Sequence, residues 1–132
     1  MKGLSSNVVK ALTLGSRITC TDNSGAKELY IISGRGLQGT RGRKPAVGIG
    51  DLVVCSVKKG KPEKIKKVVK AVIVRQKKEF RRQNGMRIRF EDNAAVLVND
   101  ENLPEATEIK GMVAREIAER YPKVAAIAAG VI

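Results

Sequence analysis

The stretch VVKAVIVRQK at residues 68–77 decides the fold class of this chain. Five of its ten residues are Val or Ile, and β-branched side chains are common in strands because they lose rotamer freedom in a helix. The stretch therefore predicts a strand, and the segments on either side of it repeat the pattern.

Short strands recur along the first hundred residues, with turn signals between them. A spacing of roughly 8–12 residues is typical of small barrels and sandwiches. Closing such strands into a barrel hides the sheet edges that they would otherwise expose. The sequence therefore predicts a mainly β fold with a small closed barrel, whose other strands are SRITCTD (16–22), KELYIIS (27–33), DLVVCSV (51–57) and one or two within MRIRFEDNAAVLVND (86–100).

The chain changes character after Asp100, where an acidic loop begins. Residues 112–120 are predicted to be helical because Val113 and Ile117 stand four residues apart. A proline ends this helix, and KVAAIAAG at residues 123–130 predicts a second short one that stops at its glycine. Helices this short need to dock on the barrel or on another molecule. We expect one domain over residues 1–132, with the barrel and ribbon at about 1–100 and the C-terminal loop and helices at about 101–132.

The net charge of +13 is large for a chain of 132 residues. Residues 1–90 carry 22 basic and 5 acidic side chains, whereas residues 91–132 carry 4 and 8. Self-repulsion of this size destabilises a compact protein that has no polyanion beside it. A basic body followed by an acidic tail indicates two kinds of partner, one of them anionic. The alternative is a basic surface that is simply solvated.

The residue types disfavour several classes of site. The chain has no histidine, which removes the usual zinc ligands and the most frequent general base. Cys20 and Cys55 stand in apolar, strand-like runs and are predicted to be buried free thiols in a reducing compartment. No apolar run approaches the ~20 residues that cross a bilayer, and the N-terminus does not resemble a signal peptide. We therefore expect a cytoplasmic protein with no membrane partner, cofactor, metal or small-molecule substrate.

Two apparent catalytic or cofactor motifs are set aside. GRGLQG at residues 34–39 matches the GxGxxG pattern, but Gly42 and Pro45 follow it and oppose the helix that a dinucleotide site needs. The acidic residues, Asp22 and Asp51 among them, stand at turns and strand ends, where such residues have structural roles. The chain is not expected to be an enzyme.

The stretch RRQNGMRIRF at residues 81–90 predicts a β-ribbon. Asn84 and Gly85 favour a two-residue type I′ turn, since both accept positive φ. In that register Arg82 lies opposite Arg87, a like-charge pair that is unfavourable in isolation. One face of the ribbon would then collect Lys78, Phe80, Arg82, Arg87 and Arg89.

Phosphate groups beside the ribbon would explain these cations, because guanidinium binds phosphate in a bidentate fork. The alternative is a basic edge that prevents aggregation. With 2 Tyr, 2 Phe and no Trp, base stacking on a single strand is disfavoured, and phosphate contacts to folded RNA are favoured. The predicted RNA-binding residues are Arg35, Arg41, Arg43, Lys44, Lys58, Lys59, Lys61, Lys64, Lys66, Lys67, Lys78, Arg81, Arg82, Arg87 and Arg89.

Spaced motifs make the chain similar to the universal L-fourteen family of large-subunit ribosomal proteins, especially its archaeal members. The most specific is AVIV, NG, F, N and VL in fixed spacing between residues 71 and 97. The resemblance covers nearly the whole chain. It also rests on TCTDNSGAKEL (19–29), GIGDLVVCSV (48–57), KAVIVRQKK (70–78) and IAERYPKVAAIA (117–128).

The resemblance implies a five-stranded β-barrel with a projecting β-ribbon and two short C-terminal helices. It implies a structural constituent of the large subunit that binds large-subunit rRNA and helps form intersubunit bridges with small-subunit rRNA. The implied protein partners are L-three, L-twenty-four-e and anti-association factors that dock on the same surface. The residues expected on this partner and bridge surface are Thr107, Glu108, Lys110, Glu116 and Lys123.

The alternative function is that of a non-ribosomal RNA-binding barrel or RNA chaperone. Sedimentation separates the two, because a ribosomal constituent travels with large subunits and stays with them in moderate salt.

Overall fold

The computed structural model describes residues 3–34 and 46–132. Its elements, in chain order, are β1 (Leu12–Thr13), β2 (Arg17–Cys20), β3 (Ala26–Gly34), β4 (Ala46–Val47), β5 (Leu52–Gly60), β6 (Val68–Arg75), β7 (Phe80–Arg81), β8 (Arg87–Ile88), β9 (Ala94–Val98), β10 (Ile109–Val113), α1 (Arg115–Arg120), α2 (Pro122–Ala126) and β11 (Ala128–Val131).

Five strands form a closed barrel in the order β2-β3-β5-β6-β9. Neighbours are antiparallel except for β2 and β9, which pair in parallel and close the barrel. Two short strands outside the barrel, β1 and β4, pair antiparallel with each other. The predicted mainly β fold with a five-stranded barrel is confirmed. The stretch at residues 68–77 contains β6, one of the five barrel strands.

Aliphatic side chains fill the barrel, as the scarcity of aromatic residues predicts. Every residue of β9 is buried, and the central residues 71–74 of β6 are fully buried. The same core cluster includes Ile117 from α1 and Val124 from α2. Burying each such side chain contributes roughly 1.5–3 kcal/mol, which stabilises helices that are too short to form alone.

The two cysteines are buried free thiols, as predicted. Burial raises the pKa of the Cys55 thiol to about 12. Burial and the nearby Asp22 carboxylate raise the pKa of the Cys20 thiol to about 12 as well. Both thiols are therefore neutral at physiological pH and poor nucleophiles.

Asp22 has the structural role predicted for it. Its carboxylate accepts hydrogen bonds from the backbone N–H of Ser24 at 3.1 Å and from the backbone N–H of Leu97 at 3.0 Å. One buried side chain thus holds the turn after β2 and ties that turn to β9.

The C-terminal part contains two strands where the sequence pattern predicts only loop and helix. β10 and β11 pair in parallel, so α1 begins at Arg115 instead of residue 112. Val113 and Ile117 do both face the core, but one ends a strand and the other belongs to a helix. Apolar spacing in so short a window does not separate these two cases.

Gly130 lies in β11 and does not end a helix, which corrects the second helix prediction. A Cβ atom at this position would collide with the Sδ atom of Met112 on β10. The glycine therefore leaves room for the end of the Met112 side chain across β11.

Within the described ranges, no helix is both long enough and apolar enough to cross a membrane.

Candidate nucleic-acid interface

The ribbon exists, but its predicted register is wrong by one residue. β7 and β8 pair with Phe80 opposite Ile88 and Arg81 opposite Arg87. The N–H of Gly85 donates to the carbonyl of Arg82 at 2.9 Å, and the N–H of Arg82 donates to the carbonyl of Met86 at 2.8 Å. The loop therefore has three residues, 83–85, instead of two.

The turn is a type I turn followed by a G1 bulge. Gly85 has a φ of +86°, while Asn84 is not among the positive-φ residues of the described chain. Both central residues of a type I′ turn need positive φ, so that turn is excluded, and a three-residue loop with glycine in the left-handed position fits. The side-chain Oδ1 of Asn84 accepts a hydrogen bond from the N–H of Met86 at 3.0 Å, which stabilises the bulge.

A one-residue shift moves side chains to the opposite face of a ribbon. Phe80 is buried and Ile88 is half-buried, so the face they share is the inner one. Arg81 and Arg87 lie together on the outer face and are exposed. The predicted grouping of Phe80 and Arg82 with Arg87 is therefore wrong.

Arg82 points into the protein and is only 8% exposed. Its Nε lies 3.0 Å from Oε1 of Glu116, and its Nη2 donates to the carbonyl oxygen of Ile132 at 2.6 Å. The guanidinium also lies over the Phe80 ring, 5.6 Å from its centroid. Arg82, directly after β7, thus joins the ribbon to α1 and to the residue that follows β11.

Glu116 is 1% exposed, so it cannot belong to the partner and bridge surface predicted for it. Arg82 is buried too, so the prediction that it binds RNA on the exposed surface is wrong. These two residues stand 34 positions apart in the chain, and nothing local in either segment indicates that they meet.

The remaining predicted cations of the ribbon are accessible. Lys78, Arg81, Arg87 and Arg89 are all exposed. Arg87 contacts Glu79 at 3.3 Å, with both side chains about half exposed or more. An exposed pair of this kind contributes about 0–1 kcal/mol, so the guanidinium can exchange its partner for a phosphate.

The lysines at the end of β5 and in the link from β5 to β6, residues 58–67, form the second accessible group, the basic connection. Lys58, Lys59, Lys61, Lys66 and Lys67 are exposed. Some of this charge is balanced locally, with Lys59 at 3.7 Å from Glu28 and the half-buried Lys64 at 3.8 Å from Glu105. Four predicted cations, Arg35, Arg41, Arg43 and Lys44, lie outside the described residues.

Carboxylates beside cations stay ionised and neutralise part of the basic surface. The Arg17 guanidinium, with help from Lys59, lowers the pKa of Glu28. The Lys70 ammonium lowers the pKa of Asp100 in the same way. Arg89 has no acidic partner among the described residues. Ribbon cations of this kind remain the better candidates for binding phosphate.

The exposed C-terminal predictions fall on the loop before β10, on β10 itself and on α2. Thr107, Glu108, Lys110 and Lys123 are exposed. Oδ1 of Asn23 accepts hydrogen bonds from the N–H groups of Thr107 and Glu108 at 3.1 and 3.3 Å, which holds this loop against the barrel.

The predicted RNA surface and the predicted partner surface meet at one place. Lys61 from the first set and Lys110 from the second line the same cavity of about 280 Å³, together with Lys27. The described residues contain no group of three or more His, Cys, Asp or Glu side chains placed to hold a metal. The cavity therefore presents cations and no metal-ligand cluster.

Two features of this interface are not among the residues predicted from the sequence. Lys77 is exposed beside Lys78, and the paired lysines of the sequence were a signal for it. The N-terminal segment, residues 3–10, contacts β7, the barrel and α1. Its sequence has no strand-like pattern, so only the tertiary structure reveals these contacts.

Comparison with known proteins identifies relatives across the whole chain. The model of the family described as ribosomal protein L14p/L23e matches residues 11–132. A protein of Methanocorpusculum labreanum is 52% identical over the full length of both chains. One from Methanococcus maripaludis is 54% identical over 97% of each chain, and one from Methanothrix thermoacetophila is 48% identical over the full length of both. All three are named large ribosomal subunit protein uL14.

Proposed function

The chain belongs to the ribosomal protein L14p/L23e family, and from that premise we propose that it holds large-subunit rRNA through phosphate contacts and helps form intersubunit bridges. Membership makes it a structural, non-enzymatic constituent of the large ribosomal subunit. The phosphate contacts and the bridges are the proposed part, and the surface described above supports them.

The outer face of the ribbon is the observation that carries the proposal. Arg81 and Arg87 lie side by side there, and Arg89, just after β8, is exposed as well. Side-by-side guanidinium groups repel each other in water but bind well to a polyanion, since each can donate two parallel hydrogen bonds to phosphate. Binding that rests on phosphate also suits a chain so poor in aromatic residues.

The basic connection supports the same proposal. Lys66 has a φ of +66°, a left-handed conformation that costs a non-glycine residue roughly 1–2 kcal/mol. The bond from its N–H to the carbonyl of Val57, 2.9 Å long, holds it there. A lysine kept where glycine would be less strained is consistent with a role for its side chain. The proposed rRNA-contacting set within the described residues is Lys58, Lys59, Lys61, Lys64, Lys66, Lys67, Lys78, Arg81, Arg87 and Arg89.

The proposed partner and bridge surface is the exposed C-terminal group. Thr107, Glu108, Lys110 and Lys123 would face small-subunit rRNA, the neighbouring proteins L-three and L-twenty-four-e, or docking anti-association factors. The acidic balance of residues 91–132 supports protein partners, because an acidic surface is complementary to a basic protein surface and not to RNA phosphates.

Replacing Arg87 and Arg89 together by alanine tests the rRNA contact. We expect weaker binding to a large-subunit rRNA transcript, and a slope of log affinity against log salt that is smaller by about 0.7–0.9 for each lost phosphate contact. Filter binding over a salt series measures both quantities.

The matched control is Arg17→Ala with Lys70→Ala, which removes the same charge. These two cations already pair with Glu28 and Asp100 at 2.8 Å, so we expect a smaller change in slope. Equal slopes for the two double variants would show that net charge, and not the ribbon, determines binding.

A further inference from the structure

The N-terminal segment, residues 3–10, lies before the residues that the family model matches, yet it contacts three separate parts of the fold. We propose that this segment, the N-terminal strap, positions the ribbon for RNA binding by fixing its angle to the barrel. The inference rests on the proposed function, since it assigns a positioning role to a segment that need not touch RNA.

The strap makes one backbone bridge to the ribbon. The N–H of Asn7 donates to the carbonyl of Arg81 at 3.0 Å, and the two residues form an antiparallel bridge. β7 and β8 have only two residues each, and an isolated two-stranded hairpin is marginally stable in water. Pairing on the free side of β7 therefore restricts how the ribbon can bend.

Beyond the ribbon, the strap is anchored to the barrel. The side-chain amide of Gln76 donates to the carbonyl of Val9 at 3.1 Å and to the carbonyl of Lys78 at 3.0 Å. Gln76 is fully buried and stands between the end of β6 and the start of β7. One amide group thus joins the strap to the segment from which the ribbon emerges.

Two polar contacts complete the attachment of the strap. Lys10 donates to Asp51 at 2.7 Å, at the start of β5. The hydroxyl of Ser5 donates to Glu119 on α1 at 2.6 Å. Strap, ribbon, barrel and helix therefore form one connected unit, to which the buried pair of Arg82 and Glu116 also belongs.

This arrangement affects binding through preorganisation. A ribbon held at one angle presents Arg81, Arg87 and Arg89 without losing conformational freedom on binding, and that lost freedom would otherwise weaken the affinity. In the described part of the strap, Lys10 is the one cation, and it is paired with Asp51. The strap therefore acts on affinity through the ribbon more than through phosphate contacts of its own.

Substituting Asn7 by proline tests the strap directly, because proline has no N–H to donate to Arg81. Asn7→Ala is the matched control, since it keeps the N–H and removes only an exposed side chain. Nitroxide labels on Gln83→Cys at the ribbon tip and Glu63→Cys, in the link between barrel strands β5 and β6, report the distance between the two sites by double electron–electron resonance. The native thiols are buried with raised pKa values, so they react poorly with the label.

We expect one narrow distance distribution for Asn7→Ala and a clearly wider one for Asn7→Pro. Identical distributions would overturn the proposal. If Asn7→Pro does not fold, Ser5→Ala with Lys10→Ala takes its place, because it removes the side-chain contacts to Glu119 and Asp51 and leaves the backbone contacts of the strap to Arg81 and Glu119. That variant should also widen the distribution of label distances. An unchanged distribution would likewise overturn the proposal that the strap positions the ribbon.

A double-mutant cycle then separates this inference from the proposed function. The loss of rRNA affinity caused by Arg87→Ala with Arg89→Ala is measured in the Asn7→Ala and the Asn7→Pro backgrounds. We expect the factor by which rRNA affinity falls to be at least about threefold smaller in the Asn7→Pro background than in the Asn7→Ala background. A ribbon that is free to move contributes less to the affinity, so removing its arginines costs less. An equal loss in both backgrounds overturns the positioning role. If the arginine substitutions cause no loss of rRNA affinity in the Asn7→Ala background, the proposed function is overturned instead. The distances between the labels then test whether the strap holds the ribbon.

Discussion

Arg82 and Arg87 have the same side chain and belong to the same ribbon, yet their environments are opposite. Arg87 is exposed beside Glu79, whereas Arg82 is buried against Glu116. Taking both charges out of water costs several kcal/mol for each ion, and their attraction and hydrogen bonds offset that cost only while both partners remain. At the scale of single residues, the position of a charge therefore matters more than its type.

Arg82→Ala should be strongly destabilising, because it leaves the Glu116 carboxylate buried without a partner. We expect a loss of about 3–5 kcal/mol in the free energy of unfolding, measured by urea denaturation. The double variant Arg82→Met with Glu116→Leu should recover most of that loss, since it removes both charges and keeps the volume.

Arg81→Ala is the control for this pair, as Arg81 is exposed one position away and should change stability by less than about 0.5 kcal/mol. If Arg82→Ala proves as mild as Arg81→Ala, then the buried pair does not hold the ribbon to α1.

At the scale of elements, the ribbon turn determines which arginines face outward. A two-residue turn would have placed Arg82 and Arg87 together, and the three-residue loop replaces Arg82 with Arg81 in that position. Phe80 has no exposed surface, so burial of its ring favours the observed register. Had the ribbon slipped by one residue, the ring would lie in water, at a cost of roughly 1.5–3 kcal/mol.

Single substitutions at residues 84 and 85 distinguish the two turns. Gly85→Ala should weaken the ribbon by about 1–2 kcal/mol, because alanine resists a φ of +86°. Asn84→Ala should cost about 1 kcal/mol or less, the value of its one side-chain hydrogen bond to Met86.

Hydrogen exchange at the amide of Arg82, which bonds to Met86, measures both variants locally. In a type I′ turn both residues have positive φ and alanine would cost a similar amount at each. Equal acceleration of exchange in the two variants would therefore contradict the type I turn with its bulge.

At the scale of the whole molecule, the charge is divided between a basic body and an acidic C-terminal part. The split appears in the sequence as 22 basic residues against 5 acidic before position 91. The barrel joins the two parts through one core that includes Ile117 and Val124. The proposed rRNA surface and the proposed partner surface are thus held in a set geometry by the same packed interior.

Reversing two charges on the C-terminal surface should impair subunit joining without releasing the protein from rRNA. We expect Lys110→Glu with Lys123→Glu to weaken association of large and small subunits at least about tenfold, since like charges then face rRNA phosphates. Sucrose-gradient sedimentation over a magnesium series measures association, and the protein content of washed large subunits measures retention.

The ribbon variant Arg87→Ala with Arg89→Ala should give the opposite pattern, with poorer retention on washed subunits. Loss of retention in the Lys110 and Lys123 variant would mean that both surfaces hold large-subunit rRNA, against the division proposed here.

The sequence by itself determined the class of fold and the kind of partner. Runs of Val and Ile at residues 51–57 and 68–77 predict strands because branched side chains favour extended backbone locally, and the structure confirms both. The excess of cations is likewise a property of composition, and so is the family resemblance carried by spaced motifs. These signals are local or additive, and they need no knowledge of which segments meet.

Only the tertiary structure decided the ribbon register, the pairing of β10 with β11, the burial of Arg82 with Glu116 and the contacts of the strap. Each depends on groups far apart in the chain, such as Asn7 with Arg81 or Arg82 with Glu116. Local propensity is worth a few tenths of a kcal/mol per residue, whereas burying Phe80 or pairing a buried charge is worth several times more. Where the two compete, packing prevails, and a single sequence does not record which distant partners it will bring together.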